Sequence, residues 1–410
     1  MSRDDTAVAL ANILPAGRGR ALFLGVPLHG HVRPSRDVVS ALVKRGEAVR
    51  YYAGGGFEEI VAATGAEPAS YGTPVVEALP ERVAELPRLS LVVMEATKAV
   101  LEADLDAFRR WEPDYVIADL LAPWGYWVAQ ILRVPVVASI PTFAVNRRVL
   151  VSAVRGGVHP RRLSDALAKE GAVWRANRMR RRLATQYAVQ GVGPTAIVLP
   201  RAERQVVYTT RAFQPHGDSF DEQRTIFAGP CLVGDGPVTE APDGDRVYLS
   251  LGTLFQGDGT LLDLCVRALD SGPWRVTATR GGREVSTAAG SRVEWLAFAD
   301  QREQLRRASV FVTHAGLGGV QESLLAGVPM LLLPQMSEQA MVAGRVAEVG
   351  AGIVLGAKDV SVESVRRAVE QLMTEPRYRD AAMQQGVAMR RDAASHSAAE
   401  AILAFTTTRR

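Results

Sequence analysis

FVTHAGLGGVQESLLAGVPMLLLP, residues 311–334, is the stretch on which the fold turns. An apolar run ends at His314, and the helical pattern after it opens with Gly316, Gly318 and Gly319. Glycine inside a helix costs about 1 kcal/mol relative to alanine. Three of them at one entrance mark a place where something must approach the backbone closely. Open α/β sheets bind ligands at the carboxyl ends of their strands, where a helix begins. The free N–H groups and the macrodipole there favour an anion, most often phosphate. His314 adds a donor at the same edge. Glu322, more than a turn deeper, suits sugar hydroxyls, as the ribose-binding acid of dinucleotide sites does. Any one glycine is equally an aid to helix–strand packing, and a lone histidine equally a core residue. The constellation reads as an anion site.

Working outward, the pattern alternates throughout between short apolar runs and helical segments. RALFLGVPL (20–28) reads as a buried strand, HGHVRP as a turn, and SRDVVSALVKR as a helix capped by Ser35 and stopped at Gly46, with AVRYYA as the next strand. DYVIAD, VPVVASI and AIVLP add strands on the same side of a Gly-, Pro- and Asp-rich linker at about 228–245. Beyond it VYLSLG, WRVTAT, RVEWLA, VFVTH, MLLLP and GIVL restart the alternation, and the chain from Val362 onward reads as helical and charged. Strands alternating with helices imply parallel, doubly wound sheets. The expected class is therefore α/β with two Rossmann-like domains, 1–230 and 231–410, the second carrying the C-terminal helices. A length of 410 residues suits more than one core.

Composition narrows the function classes. The chain is 47% hydrophobic and 22% charged, near the average for a globular protein, and its net charge of +4 is small for its length. No basic run is interleaved with aromatics as a single-strand groove requires, so nucleic acid is not an expected partner. The densest basic segment, Arg175 to Arg182, reads as the solvated face of a helix. Cys231 and Cys265 lack ligand spacing, which argues against disulfides and zinc and suits a reducing, cytoplasmic setting. The N-terminus has no signal-peptide pattern, and the apolar region 115–145 is broken by Asp119, Gln130, Arg133 and prolines, so no membrane span is expected. The first strand is followed by HGHVRP and not by G-x-G-x-x-G, and no Walker sequence is present.

HAGLGGVQESLLAGVPMLLLPQMSEQ resembles the donor-binding signature of family 1 nucleotide-sugar glycosyltransferases, most closely their bacterial macrolide and natural-product branch. PLHGHVRPSRDVVSALVKRG resembles the N-terminal segment of that family, and YLSLGT the strand opening its second domain. The likeness spans both halves; only about 146–200 has no counterpart. It implies the GT-B fold, in which two Rossmann-like domains face each other across a cleft. By position, it implies that His314 contacts the donor diphosphate, with Gly316 at the helix entrance and the Gly318 and Gly319 amides capping it. Thr253 would sit near the diphosphate and Glu322 on the ribose, with Glu338 and Gln339 on the sugar and Gln301 in the loop edging the base. Five positions depart from the pattern. Phe298 stands where the family has Trp, Asp300 where it has Pro, and Glu338 where Asp is commoner, while Gly318 and Gly319 replace the Asn and Ser of plant members.

Sugar transfer needs a base to deprotonate the acceptor hydroxyl, and HGHVRP offers two histidines at the carboxyl end of the first strand. A base also needs an orienting partner on its other ring nitrogen, and Asp119 closes a neighbouring strand. The resemblance picks His31 as that base, in a direct, inverting transfer from a UDP- or dTDP-sugar to a hydroxyl of a small, largely apolar, macrolide- or polyketide-like acceptor. Trp124 and Phe143 are candidate acceptor contacts. With no paired acids to hold a divalent ion and a helix dipole to take that role, no metal or other cofactor is expected. The partners are then a nucleotide sugar and a small acceptor, with a homodimer allowed for. A nucleotide-sugar epimerase or hydrolase on the same fold, and a non-catalytic helper of such transferases, are the alternatives.

Overall fold

The computed structural model describes residues 19–79, 89–155, 171–193, 196, 199–232, 244–252, 260–280 and 292–408. Two sheets organise them, and every strand pair in both is parallel. The first comprises β1 (Arg20–Leu24), β2 (Ala48–Tyr52), β3 (Glu67–Ala69), β4 (Tyr115–Asp119), β5 (Val136–Ile140), β6 (Arg204–Val207) and β7 (Thr225–Phe227), in the order β3-β2-β1-β4-β5-β6-β7. The second comprises β8 (Arg246–Ser250), β9 (Arg275–Thr279), β10 (Val293–Leu296), β11 (Val310–Thr313), β12 (Met330–Leu332) and β13 (Gly352–Val354), in the order β10-β9-β8-β11-β12-β13. Each order reverses beside its first strand, so the ligand crevices fall at the carboxyl ends of β1 and β4 and of β8 and β11. These are the ends at which His31, Asp119 and His314 stand.

Helices cover both faces of the sheets, which is why the central strands are apolar throughout; all five residues of β4 are buried. In the first half the helices are α1 (His29–Lys44), α2 (Glu58–Ala62), α3 (Pro74–Glu77), α4 (Leu89–Trp111), α5 (Trp124–Leu132), α6 (Arg147–Arg155) and α7 (Ala172–Gln186). The second half has α8 (Thr260–Asp270), α9 (Gln301–Arg307), α10 (Leu317–Leu325), α11 (Ser337–Glu348), α12 (Val362–Thr374), α13 (Pro376–Arg391) and α14 (Ser395–Thr407). Among the described residues, no helix is long and apolar enough to cross a membrane.

Several elements differ from the sequence expectation, each for a local reason. Helix α1 starts at His29, not Ser35, and runs through Pro34. Proline in a helix removes its own N–H donor and crowds the carbonyl four residues back, but that carbonyl lies in the opening turn here, and buried Val32, Val38, Val39 and Leu42 hold the segment to the sheet. Ser35 is therefore a buried helix residue whose Oγ donates to the Val32 carbonyl at 2.9 Å, not a cap. In AIVLP, Ile197 and Val198 lie outside the described residues and Ala196, Leu199 and Pro200 are not strand; the next strand, β6, begins at Arg204. Strands of three or four residues such as β6 and β7 are too short to show a period. Helix α7 carries the arginine-rich segment. It buries Ala172, Ala176 and Leu183, and leaves Arg175, Arg178, Arg181 and Arg182 exposed, as a solvated face does.

The chain crosses between the sheets twice. After β7 it runs into the second sheet, and at α14 it returns. Ala398, Ala399, Ile402 and Phe405 of α14 join the core beneath β1, β2 and β4, although the sequence groups that helix with the second half. Arg45 at the end of α1 pairs with Glu400 of α14 at 2.5 Å. Between the sheets, Phe143 and Phe213 pack into a core otherwise built around β11, β12 and α10. Arg345 of α11 donates to the Phe213 and Ala212 carbonyls at 3.1 and 2.7 Å.

Candidate active site

At the first crevice, His31 occupies the opening turn of α1 and Asp119 the last position of β4. The His31 Nδ1–H donates to Asp119 Oδ1 at 2.8 Å, and the Leu121 N–H donates to the same oxygen at 2.8 Å. That fixes the tautomer, with the proton on Nδ1 and a lone pair on Nε2. Burial pulls the imidazole down, but the charge and hydrogen bond of Asp119 and the charge of Glu338 outweigh it, so His31 titrates above its usual value. Glu338 reaches this field from α11 of the second sheet; burial pushes its carboxyl up, and His31 partly offsets that. The histidine and aspartate that the sequence paired are thus joined, with Glu338 as a third member. His29 is exposed, its ring tilted at 60° against Phe57 at 4.8 Å.

At the second crevice, burial holds the His314 imidazole down to about 4, offset only partly by the Ser250 main chain, so the ring is neutral at physiological pH. A Cβ on Gly316 would lie 2.8 Å from His314 Nε2, and one on Gly252 would lie 2.8 Å from Cε1. Gly252 also has φ +80°, where only glycine is unstrained. These two glycines therefore clamp the ring. Gly318 is different: a Cβ there would meet nothing within 4 Å, so its face of the helix entrance is open. Gly319 lies against Gln301. Ala315, between His314 and Gly316, is held at φ +68°, a conformation that costs a non-glycine residue about 1–2 kcal/mol.

Glu322 is held by two side chains of α9. Gln301 Nε2 donates to its Oε2 at 2.6 Å, and Arg302 Nε to its Oε1 at 3.1 Å. Arg302 also donates through Nη2 to the Cys231 carbonyl at 3.0 Å, tying the carboxylate to the linker. The sequence reading missed Arg302; its only signal was its place beside Gln301 in a first turn capped by Asp300. Asp300 is that cap, its side chain accepting from the Arg302 and Glu303 N–H groups. Phe298 is 73% exposed at the same edge, a free aromatic face. Gln339, in the first turn of α11, is buried, its Oε1 accepting from the Gln335 N–H at 2.8 Å. Thr253 lies outside the described residues.

The two acceptor candidates need correction. Trp124 is fully buried, its Nε1–H donating to the Tyr71 hydroxyl at 3.1 Å. Phe143 is buried against Phe213 between the sheets. Both rings are core, and residues on the loops they support are left to meet an acceptor. An aromatic in a loop after a strand gives the same sequence signal whether it faces in or out.

Residues 247–394, which contain the whole second crevice, match the family model of UDP-glucoronosyl and UDP-glucosyl transferase. The chain is a glycosyltransferase, and over this segment it is similar to family 1. The likeness runs well beyond the matched segment. The NDP-glycosyltransferase YjiC of Bacillus licheniformis is 27% identical to this glycosyltransferase over 88% of the present chain and 91% of its own. The oleandomycin glycosyltransferase of Streptomyces antibioticus is 28% identical over 87% and 83%. Among solved structures, the glycotransferase of kitacinnamycin aligns with a TM-score of 0.77 at 26% identity, covering 94% of this chain and 98% of that one. CalG4, the calicheamicin glycosyltransferase, aligns with a TM-score of 0.74 at 28% identity over the same shares. The fold is GT-B, shared with these natural-product glycosyltransferases.

Proposed function

We propose that this enzyme transfers a sugar, with inversion, from a UDP- or dTDP-sugar to a hydroxyl of a small, largely apolar natural-product acceptor. The observation that carries the reading is the 2.8 Å His31–Asp119 bond at the first crevice, biased by a carboxyl from the second sheet. Neutral His31 takes the acceptor proton on Nε2, and Asp119 stabilises the imidazolium that forms. As the acceptor oxygen bonds to the anomeric carbon, the bond from that carbon to the diphosphate breaks, and the electron pair leaves with the diphosphate. The N–H groups at the start of α10, at Gly318 and Gly319, and the His314 ring stabilise the charge that develops there. This is work a divalent cation otherwise does, so transfer proceeds without metal.

Glu322 holds the ribose hydroxyls, Glu338 and Gln339 the sugar, and Thr253 lies beside the diphosphate. Phe298 and Gln301 border the base. A thermal-shift panel with UDP, dTDP, ADP and NAD tests the donor assignment. A ligand at a hundred times its dissociation constant stabilises by about 2.7 kcal/mol. The melting temperature is expected to rise with UDP or dTDP; a rise with NAD alone contradicts the assignment. Glu322→Ala should weaken whichever nucleotide binds, and an unchanged dissociation constant removes Glu322 from the ribose.

A further inference from the structure

We infer that Gln321 is a positioning residue that couples the donor helix α10 to the His31–Asp119 pair; the inference rests on the reading of α10 as the donor helix. Gln321 precedes Glu322, so the two side chains leave the helix about 100° apart. Glu322 turns to Gln301 and Arg302, whereas Gln321 turns to the other sheet. Its Nε2 donates to the Tyr208 carbonyl at 3.1 Å, one residue beyond β6. The Tyr208 phenol meets the Ser139 hydroxyl at 2.9 Å. Ser139 lies in register with Asp119 across β5 and β4, and its carbonyl accepts from the Leu120 N–H at 3.0 Å. Asp119 holds His31. Gln321, Tyr208, Ser139 and Asp119 are each at least 95% buried. Burial drives the Tyr208 phenol to a high pKa, the Ser139 bond draws it back, and the Asp119 charge pushes it up again, so phenol and carboxylate share one field.

The chain also has somewhere to move. Among the described residues, Gln321 Oε1 and Thr209 Oγ1 are buried without a hydrogen-bond partner. An unmet buried polar atom costs about 1–3 kcal/mol. Both orphans flank the Gln321–Tyr208 bond, one an acceptor and one a donor. Pairing either atom would require α10 and the end of β6 to shift against each other, and a second arrangement of that kind is what coupling between sites requires. Occupation of the donor site then changes how Tyr208 and Ser139 hold Asp119, and through it how His31 is aimed.

Amide hydrogen exchange on the full chain, with and without saturating UDP or dTDP, tests this. In the wild type the nucleotide should slow exchange on α10 and also, remotely, over residues 25–32 and 119–122. Gln321→Leu keeps the packing volume but not the hydrogen bond; it should retain the slowing on α10 and lose the remote effect. Tyr208→Phe keeps the main-chain carbonyl and should show the same split, which guards against a folding defect in the first variant. In transfer assays both variants should lower kcat about tenfold at unchanged donor KM. Remote slowing absent from the wild type, or equal in all three proteins, overturns the inference, as does an effect confined to KM. Absence of slowing anywhere with either nucleotide overturns the donor reading itself, and the inference with it.

Discussion

His31 and Glu338 belong to different sheets, yet the carboxyl helps to keep the imidazole protonated to a higher pH. A general base works only when neutral, so the acid limb of the pH–rate profile should lie above pH 6.5. Glu338→Gln removes one of the raising influences and should move that limb to lower pH; a limb that stays put contradicts the coupling. His314 behaves in the opposite sense. Its folded-state value of about 4 lies below the unfolded 6.5, so the unfolded chain binds the extra proton. The buried ring costs nothing above pH 6.5, and the cost grows as pH falls towards 4, to about 3 kcal/mol at most. Urea unfolding at pH 7 and pH 5 should show a smaller acid loss for His314→Gln than for the wild type. Equal losses would show that the ring is not the group responsible.

At the scale of the element, the entrance to α10 separates two uses of glycine. Gly316→Ala drives a methyl group against the His314 ring and should lower both stability and nucleotide affinity. Gly318→Ala meets no protein atom and gains about 1 kcal/mol of helix propensity, so the melting temperature should hold or rise. If an anion approaches the backbone there, affinity for UDP or dTDP should nevertheless fall. Affinity left intact would mean that the open face has no ligand. This junction was legible in the sequence because a buried strand, a histidine and an exposed helix entrance each leave a distinct local pattern. Asp119 was legible for a similar reason, closing an apolar strand whose register follows from parallel pairing. The start of α1 was not, since Pro34 carries a turn signal that packing overrides. Nor was the Arg302 grip on Glu322, because an arginine at a helix start looks like surface until the carboxylate is placed beside it. Trp124 and Phe143 misled for want of any local mark that distinguishes a core ring from a pocket wall.

The whole molecule is held together by contacts that no local pattern carries. Asp37 of α1 accepts from the Leu232 N–H at 2.6 Å and from Cys231 Sγ at 3.3 Å, pinning the linker to the helix that bears His31. From the other side, Arg302 holds the Cys231 carbonyl. Helix α14 completes the first core from the far end of the sequence, so Ile402→Ala should destabilise the protein by about 2–5 kcal/mol in urea unfolding. A cost well under 1 kcal/mol would show that α14 adds little to that core. The proposed catalysis belongs to this scale too, because His31 and His314 follow strands of different sheets. The measurement that bears on it most directly is sugar transfer by His31→Ala alongside its affinity for UDP or dTDP. Loss of about a hundredfold to ten-thousandfold in kcat, with nucleotide affinity unchanged, is the expected result. Turnover equal to that of the wild type would contradict His31 as the base.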